Sequence, residues 1–446
     1  MTYDVVIAGA GVGGAYLAKL AAQKGLKVAL VETAAKDKIG HDWSDSIERA
    51  QIEKAVDHGA LGDMSFAVAG FIARAPDGTG GIEFDSYPFL IVDRRKLASR
   101  LIEDAAAAGA QIIRAKVLFP LFDEHQVFGI GVESGGKVEK IIGRITVDAT
   151  GISSTLRCAL PSEWSIDTAR FADADCAHAY REIRRMDPNA EWPPRRVLIY
   201  RYGRYRGYSW INRESDDAID VGMGMPATNP LSTLKELVAC DAESIAGVKR
   251  ERIRGGGGKL PVRRPIPSFV ANGFVAIGDS ASQAHPLLGC NVGNILLACE
   301  LAVEAVQHAV SHKRFGADAL WSYNAGFMRS RGAVLASLDA MRIALQDISE
   351  EEIGWLMKRG VLGKPALWRS LAILPPKLEL SELVKALLCS LSRTRLMVKL
   401  SQASWAARDA FEHYRRYPAS YDPEEFASWA HREKRLFESI SRIANR

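Results

Sequence analysis

Short apolar runs and helical patterns alternate at the start of the chain. Residues 3–8, YDVVIA, form a β-branched apolar run that is typical of a fully buried strand. AYLAKLAAQKG has apolar residues at helical spacing and ends at Gly25, and KVALVE then predicts a second buried strand. This order of strand, glycine turn, helix and strand predicts a βαβ unit.

Later segments follow the same two periodicities. Residues 41–60 are predicted as a polar helix, with HDWSD at its N-terminus, and residues 94–109 as an amphipathic helix. RITVDATG and FVAIGDSA predict buried strands that run into glycine turns. Between them RRVLIYRYG, YRGYSWINRES and AIDVGMGMP predict long strands, whereas the glycine run 255–258 predicts a flexible turn.

Together these elements predict an α/β fold with three parts. Residues 1–160 and 266–320 are expected to form a discontinuous Rossmann-like cofactor-binding domain. Residues 161–265, with parts of 60–92, are expected to form an inserted antiparallel-sheet substrate domain. Residues 321–446 predict a helical C-terminal region.

The first glycine turn carries the clearest chemistry. Gly9, Gly11 and Gly14 complete a G-x-G-x-x-G motif between the first strand and its helix. Such glycines permit a tight turn, the approach of a pyrophosphate and close helix packing. Glu32 ends the second strand, where an acid is expected to bind ribose hydroxyls, so FAD or NAD fits better than NADP.

Two further strand ends complete the predicted cofactor site. Asp148 opens the sequence DATGISSTLR, which predicts a strand-to-helix turn near the pyrophosphate. Asp279 follows FVAIG and is expected to accept hydrogen bonds from a ribityl hydroxyl. The loop with Pro286 and Gly289 then leads into a helix whose N-terminus would favour negative charge on a reduced flavin.

These motifs, in this order, resemble the FAD-dependent geranylgeranyl reductase family and the related class A flavin monooxygenases. GDSASQAHPLLG matches the family's flavin loop. Asn291 stands where a second glycine is usual, and the resemblance implies that it contacts the cofactor there. The resemblance implies that Arg94, in VDRRKLA, reaches the flavin diphosphate. It also implies that Tyr208 and Trp210, in GYSWI, line a cavity over the flavin, and that C-terminal helices wall that cavity.

Reduction of a carbon–carbon double bond requires a proton donor beside the flavin. His285 and Cys290 lie in the predicted flavin loop and are the candidates, with Tyr208 and Trp210 as cavity residues. For each of them a purely structural role is the alternative, since loop histidines and small cysteines often only pack.

We therefore predict an FAD-dependent oxidoreductase that transfers hydride from reduced flavin to a double bond of an isoprenoid or other extended apolar substrate. A flavin monooxygenase acting on an aromatic or polyketide-like compound is the first alternative, and a non-redox flavoprotein such as a cyclase is the second. A purely binding role is the third. The chain has only one G-x-G-x-x-G unit, so NAD(P)H or another reductant, such as an electron-carrier protein, would be a transient donor.

Composition narrows the setting. The net charge of +5 is mild and no run of like charge predicts nucleic-acid binding. The six cysteines form no CxxC pair, so neither a metal site nor a disulfide framework is predicted. We expect a cytoplasmic protein; the basic, apolar residues 383–400 leave a peripheral membrane contact open.

Overall fold

The computed structural model describes residues 2–35, 38–40, 42–78, 80–87, 89–190, 196–201, 206–290, 292–375 and 393–444. The strands are β1 (Thr2–Ala8), β2 (Val28–Glu32), β3 (Ser44–Glu48), β4 (Ser65–Ala67), β5 (Phe71–Arg74), β6 (Gly81–Phe84), β7 (Phe89–Asp93), β8 (Gln111–Arg114), β9 (Lys116–Phe122), β10 (Val127–Ser134), β11 (Lys137–Asp148), β12 (Cys176–Met186), β13 (Arg196–Arg201), β14 (Gly207–Ser215), β15 (Ala218–Pro226), β16 (Val248–Pro261), β17 (Val270–Ala271) and β18 (Phe274–Ala276). The helices are α1 (Val12–Gln23), α2 (Arg49–Ala55), α3 (His58–Leu61), α4 (Arg94–Ala107), α5 (Leu231–Glu243), α6 (Val292–Ser311), α7 (Ala317–Phe327), α8 (Ala333–Ala344), α9 (Glu350–Lys358), α10 (Lys364–Leu371), α11 (Thr394–Arg415) and α12 (Pro423–Ala444).

The predicted βαβ unit forms the centre of the first sheet. Its strand order is β17-β18-β11-β1-β2-β8, and β10 and β9 extend it from β11. The contacts of β1 with β2 and β11, and of β11 with β18, are parallel. Helix α1 packs against α4 and α6 beside this sheet, and residues 28–31 of β2 and the second half of β1 are apolar because they are buried in its centre.

A second, mostly antiparallel sheet has the order β16-β12-β15-β14-β13-β5-β6. It contains the predicted long strands, and it also includes β5 and β6 from the earlier part of the chain. A three-stranded sheet, β3-β7-β4, is formed by strands that lie between β2 and β8 in the sequence. The α/β fold class with an inserted antiparallel sheet and a helical C-terminal region is confirmed.

Two local predictions are wrong. Residues 44–48 form strand β3 rather than the start of a helix, because Asp45 and Ile47 point into the protein and the neighbouring side chains point outward. The glycine run 255–258 is not a turn but the middle of β16, paired with residues 179–182 of β12. Most of the basic segment 383–400 and the predicted contact at Asn291 lie outside the described residues.

The C-terminal helices complete a second apolar core. Leu356 of α9, Leu367 of α10 and Met397 of α11 pack with Phe71 and Trp210 of the antiparallel sheet. Helix α11 also packs along α8. Within the described ranges, no helix combines the length and the apolar composition that a membrane crossing requires.

Candidate functional site

The three sequence signatures meet at the carboxyl ends of three neighbouring strands. Ala8 of β1 is paired with Asp148 of β11, and Asp148 is paired with Ala276 of β18. The backbone N–H of Ala149 donates to Ala8 O at 2.9 Å, and that of Ile277 donates to Asp148 O at 3.0 Å. Ligands of open α/β sheets bind at this edge, so the topology places one site there.

The glycines of the first turn have different tasks. Gly9 has a φ of +97°, and a Cβ on it would lie 2.4 Å from Ala149 O. A Cβ on Gly14 would lie 1.9 Å from Gly9 O, so this glycine allows α1 to pack against β1. A Cβ on Gly11 would have nothing within 4 Å. The open space at Gly11 lies at the N-terminus of α1, whose first N–H groups have no partner within the helix.

Glu32 holds this turn in shape. Its Oε2 accepts a hydrogen bond from the N–H of Ala10 at 2.8 Å, and its Oε1 accepts one from Ala34 at 2.8 Å. The side chain lies beside the glycine turn at the end of β2, as the sequence predicts. Its contact with a ribose stays a prediction.

Asp148 holds the second signature loop together. The side chain is fully buried, and its Oδ1 accepts from the N–H and hydroxyl of Thr150 at 2.9 and 2.6 Å. Its Oδ2 accepts from the N–H groups of Leu156 and Arg157 at 3.1 and 2.8 Å. Asp148 thus fixes the loop 148–157 through four hydrogen bonds from the chain itself, and its contact with a cofactor stays a prediction.

The third signature faces a large cavity. Gly278 has a φ of +73°, and its N–H donates to Gln283 Oε1 at 2.8 Å. This fixes a 3₁₀ turn, Gly278–Ala281, that directs Asp279 to the cavity. Pro286 and Gly289 line the same cavity. The structure therefore brings these predicted cofactor residues to one wall.

His285 requires a correction. It is 1% exposed, its Nδ1 accepts from the N–H groups of Leu287 and Leu288, and its Nε2 lies 2.9 Å from Ser370 O. These partners require a proton on Nε2 and none on Nδ1. Burial lowers the pKa of His285 to about 4. A neutral imidazole with both nitrogens occupied, behind the loop, is a structural tie to α10 and does not fit the role of proton donor.

The cavity has a volume of about 1360 Å³ and joins three parts of the chain. One wall comes from residues 42–45 and Arg94, next to Asp279 and the loop 286–290. The antiparallel sheet contributes Tyr208, Trp210 and the glycines 256–258. The apolar far wall consists of side chains from α8 to α11: Met341, Leu345, Ile353, Leu356, Leu367, Met397 and Leu400.

Arg94 and Cys290 lie at the flavin-loop end of this cavity. The guanidinium of Arg94 is 3.6 Å from the carboxylate of Asp45, which is only 6% exposed. Asp93 caps α4 by accepting hydrogen bonds from the N–H groups of Arg95 and Lys96, which fixes the start of that helix. Cys290 is half-buried and also lines the cavity.

Aromatic side chains form the wall over the loop. Trp210 packs edge-on against Trp43 with ring centroids 5.4 Å apart, and Tyr208 lies 5.8 Å from Trp210. The hydroxyl of Tyr208 donates to Leu288 O at 2.5 Å, which ties the antiparallel sheet to the flavin loop. Both residues predicted from GYSWI thus lie in the cavity wall.

A buried charge network behind this wall was not predicted. Trp210 Nε1 donates to Asp220 at 3.3 Å, and Asp220 binds Arg181 at 3.0 Å. Arg181 also binds Asp42 at 3.2 Å, and its guanidinium lies 5.4 Å from the Trp43 ring centroid. The network orients both tryptophans. No local sequence pattern signals this network, because Asp42, Arg181 and Asp220 are far apart along the chain.

The strand glycines 256–258 explain the width of the cavity at the sheet. They lie on β16 beside Ala179 and Tyr180 of β12 and bear no side chains that would enter the cavity. A Cβ on Gly257 would lie 2.3 Å from Ala179 O. Glycines 256–258 are therefore an extended strand in the cavity wall, not a loop.

These features fit FAD. Gly11 leaves room for a pyrophosphate at the N-terminus of α1, and Glu32 stands at the end of the next strand. Asp279 and the loop with Pro286 and Gly289 follow the neighbouring strand and open into the cavity. Among the described residues, no group of three His, Cys, Asp or Glu side chains is arranged to bind a metal ion.

Comparison with known proteins agrees with this site. A family model described as lycopene cyclase protein matches residues 4–170. The digeranylgeranylglycerophospholipid reductase of Sulfolobus acidocaldarius is 25% identical over 437 residues, which cover 96% of each chain. A geranylgeranyl bacteriochlorophyll reductase-like structure from Thermoplasma acidophilum has a TM-score of 0.72 and 19% identity, covering 83% of this chain and 96% of that one. A probable FAD-dependent monooxygenase from Pseudomonas aeruginosa has a TM-score of 0.61 and 17% identity, covering 80% and 100%.

The chain has the fold of a geranylgeranyl bacteriochlorophyll reductase-like structure and of a probable FAD-dependent monooxygenase, and the residues of its site fit FAD. Among such proteins, the chain is similar over nearly its whole length to a digeranylgeranylglycerophospholipid reductase, which confirms the resemblance drawn from the sequence motifs. The likeness to solved structures confirms the fold.

Proposed function

We propose that this protein reduces a carbon–carbon double bond of an isoprenoid chain. The observation that carries this proposal is the cavity of about 1360 Å³. It runs from the Asp279 and Pro286 end to apolar side chains of the C-terminal helices. Its size exceeds that of ordinary small-ligand pockets, roughly 300–1000 Å³. An extended apolar chain can therefore lie along it with one double bond beside the flavin loop.

The similarity to the Sulfolobus reductase supports an isoprenoid substrate. The proposed substrate-binding part is the antiparallel sheet together with the helical region 321–446. The proposed cofactor-binding part is formed by residues 1–160 and 266–320. Within it we assign FAD contacts to these residues: Gly9, Gly11, Gly14, Glu32, Arg94, Asp279, Pro286 and Gly289.

When bound and reduced by two electrons, the flavin would supply the hydride for the reaction. The protein's own task is to orient the alkene, exclude water and deliver a proton to the second carbon. Cys290 is the proposed proton donor, because its side chain lines the cavity whereas the His285 side chain is buried and does not. The Cys290 S–H bond breaks, a C–H bond forms, and the thiolate recovers a proton from water.

Tyr208 and Trp210 have orienting roles in this proposal. The Tyr208 hydroxyl is occupied by Leu288 O, and the Trp210 N–H by Asp220. Their rings therefore present aromatic faces rather than polar groups to the cavity. Such faces favour the apolar chain of an isoprenoid.

The reductant is proposed to be NAD(P)H or a carrier protein that acts transiently. The sequence contains one G-x-G-x-x-G unit, and that unit is assigned to FAD. Two electrons must reach the flavin for each double bond reduced. Anaerobic bleaching of the flavin absorbance by NADH, NADPH or reduced ferredoxin identifies the electron donor. If neither NADH nor NADPH bleached the flavin, the donor would be a carrier protein.

Entry of a lipid substrate is proposed to involve contact with a bilayer. Val398 and Trp405 on α11 line the cavity and are 51% and 62% exposed, and the guanidinium of Arg408 lies 5.9 Å from the Trp405 ring centroid. Co-sedimentation with anionic liposomes should decrease in Trp405→Ala. Equal sedimentation of the variant and the parent would exclude this rim as the contact.

The reaction is tested by product analysis. The enzyme with chemically reduced FAD is incubated without oxygen with a geranylgeranyl lipid, and the products are analysed by mass spectrometry. We expect a mass gain of two hydrogens for each reduced bond, and slower proton delivery in Cys290→Ala than in Cys290→Ser. Oxygen-dependent hydroxylation of the substrate, without anaerobic reduction, would instead support the monooxygenase alternative.

A further inference from the structure

A bidentate ion pair lies directly behind the flavin loop. Arg331 Nη1 and Nη2 donate to Glu48 Oε1 and Oε2 at 3.0 and 3.1 Å. The two side chains are 13% and 20% exposed. Glu48 is the last residue of β3, whereas Arg331 lies between α7 and α8. None of the roles assigned above involves this pair.

The pair abuts the first turn of α6. A Cβ on Gly293 would lie 3.0 Å from Glu48 Oε2, so the carboxylate occupies the space beside that turn. Glu48 and Gly293 also share a small cavity of about 40 Å³ with Cys290 and Asn294. The unpaired N–H groups of this helix end carry partial positive charge, which the negative charge of Glu48 offsets.

A local irregularity of the helical backbone positions Arg331. Residues Met328–Gly332 form a single π-helical turn between α7 and α8. On this turn Arg329 binds Tyr417 O at 2.6 Å on one side, while Arg331 reaches Glu48 on the other. Such turns are frequent at functional sites.

The positive charge of Arg331 affects a residue of the flavin loop, His285. Burial is the main reason that the pKa of His285 is low, and the positive charge of Arg331 lowers it further. His285 is neutral and tied to the chain on both nitrogens, so it does not itself contribute a charge there. Glu48 and Arg331 are thus the opposed charges at this end of α6.

The geometry points to the Glu48–Arg331 pair as a charge-compensated positioning pair that sets the reduction potential of the bound flavin. This inference rests on the proposed function and adds that the pyrimidine edge of FAD faces the N-terminus of α6, which the sequence predicts to favour negative charge on a reduced flavin. A reduced flavin carries negative charge at that edge, so any uncompensated charge nearby shifts the balance between reduced and oxidised cofactor.

The two halves of the pair have opposite expected effects. Glu48→Gln leaves the arginine charge uncompensated, which favours the reduced flavin and raises its midpoint potential. Arg331→Gln leaves the carboxylate uncompensated and lowers the potential. For one partly buried charge within about 10 Å, the affinity ratio of reduced to oxidised FAD should change by on the order of tenfold in each direction.

The midpoint potential of each FAD-loaded variant is measured anaerobically against a reference dye. The double variant Glu48→Gln/Arg331→Gln should return towards the parent value. Arg331→Lys, which keeps the charge but loses the bidentate geometry, should shift little. Lys19→Gln serves as the matched control, because Lys19 forms a comparably buried 2.8 Å pair with Asp104 between α1 and α4, away from the loop.

Opposite shifts in the two single variants would support the tuning role. Equal shifts in both, or no shift in either, would overturn it, as would an Arg331→Lys variant that behaves like Arg331→Gln. Since no substrate is present, failure of alkene reduction affects only the proposed reaction. Failure of the parent to bind FAD would instead overturn the cofactor assignment itself.

Discussion

The two glycines Gly11 and Gly14 should respond to the same substitution in opposite ways. Gly11→Ala adds a methyl group into space that has no atom within 4 Å, at a backbone φ of −62° and ψ of −179° that alanine adopts freely. The reduced entropy of the unfolded chain and the weaker N-cap of alanine act in opposite directions. The free energy of unfolding of the apoprotein should therefore change by less than about 1 kcal/mol.

The same methyl group occupies the place assigned to the pyrophosphate. Loss of one hydrogen bond between a helix N–H and a charged phosphate oxygen costs about 1.5–3 kcal/mol, which corresponds to about 10–100-fold weaker FAD binding. Gly14→Ala differs, because its Cβ would lie 1.9 Å from Gly9 O. Such an overlap forces α1 away from β1 and should destabilise the apoprotein by about 1–3 kcal/mol or more.

Both quantities can be measured on the same samples. Chemical denaturation of the apoproteins gives the free energy of unfolding, and quenching of flavin fluorescence gives the FAD affinity. The expected pattern is a stable Gly11→Ala that binds FAD poorly and an unstable Gly14→Ala. If Gly11→Ala bound FAD as tightly as the parent, the pyrophosphate would not lie at the N-terminus of α1.

Three further predictions concern the cavity and its loop. The pKa of His285 is lowered to about 4 in the folded protein from an ordinary value near 6.5. Between these two pH values the unfolded chain binds more protons than the folded protein. The free energy of unfolding should therefore keep its full value above pH 6.5 and fall by about 3 kcal/mol towards pH 4. Urea titrations of the parent against His285→Gln isolate this contribution, and parallel pH profiles would refute it. Tyr208→Phe loses the bond to Leu288 O and should cost about 1 kcal/mol in the same assay, whereas a loss above about 3 kcal/mol would mean a different role. Met397→Trp places bulk in the far wall and should lower kcat/KM for long prenyl chains by about tenfold or more while sparing short ones; an equal loss for all chain lengths would contradict the proposed path.

Much of the cofactor site could be predicted because its signals are local in sequence. Gly9, Gly11 and Glu32 lie within one βαβ unit, where strand, turn and helix patterns constrain one another. Asp279 and Pro286 follow a buried strand in the same way. The sheet order that brings these segments together follows from the parallel pairing of apolar strands.

The wrong predictions have physical causes. In β3 the inward-facing Asp45 is polar because it pairs with Arg94, so the alternation of a strand is hidden from its composition. In β16 the glycines 255–258 have no side chains to alternate, and only the partner strand β12 shows that the backbone is extended.

The roles of single side chains depended on distant partners. His285 is a natural candidate for acid–base chemistry until Ser370, 85 residues away in sequence, occupies its Nε2. Arg331 and Glu48 are 283 residues apart, and no local pattern links them. Asp148 has local partners, but only the described loop shows that they occupy both of its oxygens.

The central claim is that reduced flavin in this site passes its electrons to an alkene in the cavity. The most direct test is stopped-flow spectroscopy of the photoreduced enzyme mixed without oxygen with a geranylgeranyl lipid, and separately with oxygen alone. The account predicts that flavin absorbance returns with the alkene, at a rate that depends on its concentration, and that a saturated lipid of equal length has no effect. Rapid reoxidation by oxygen with no reaction towards the alkene would contradict it.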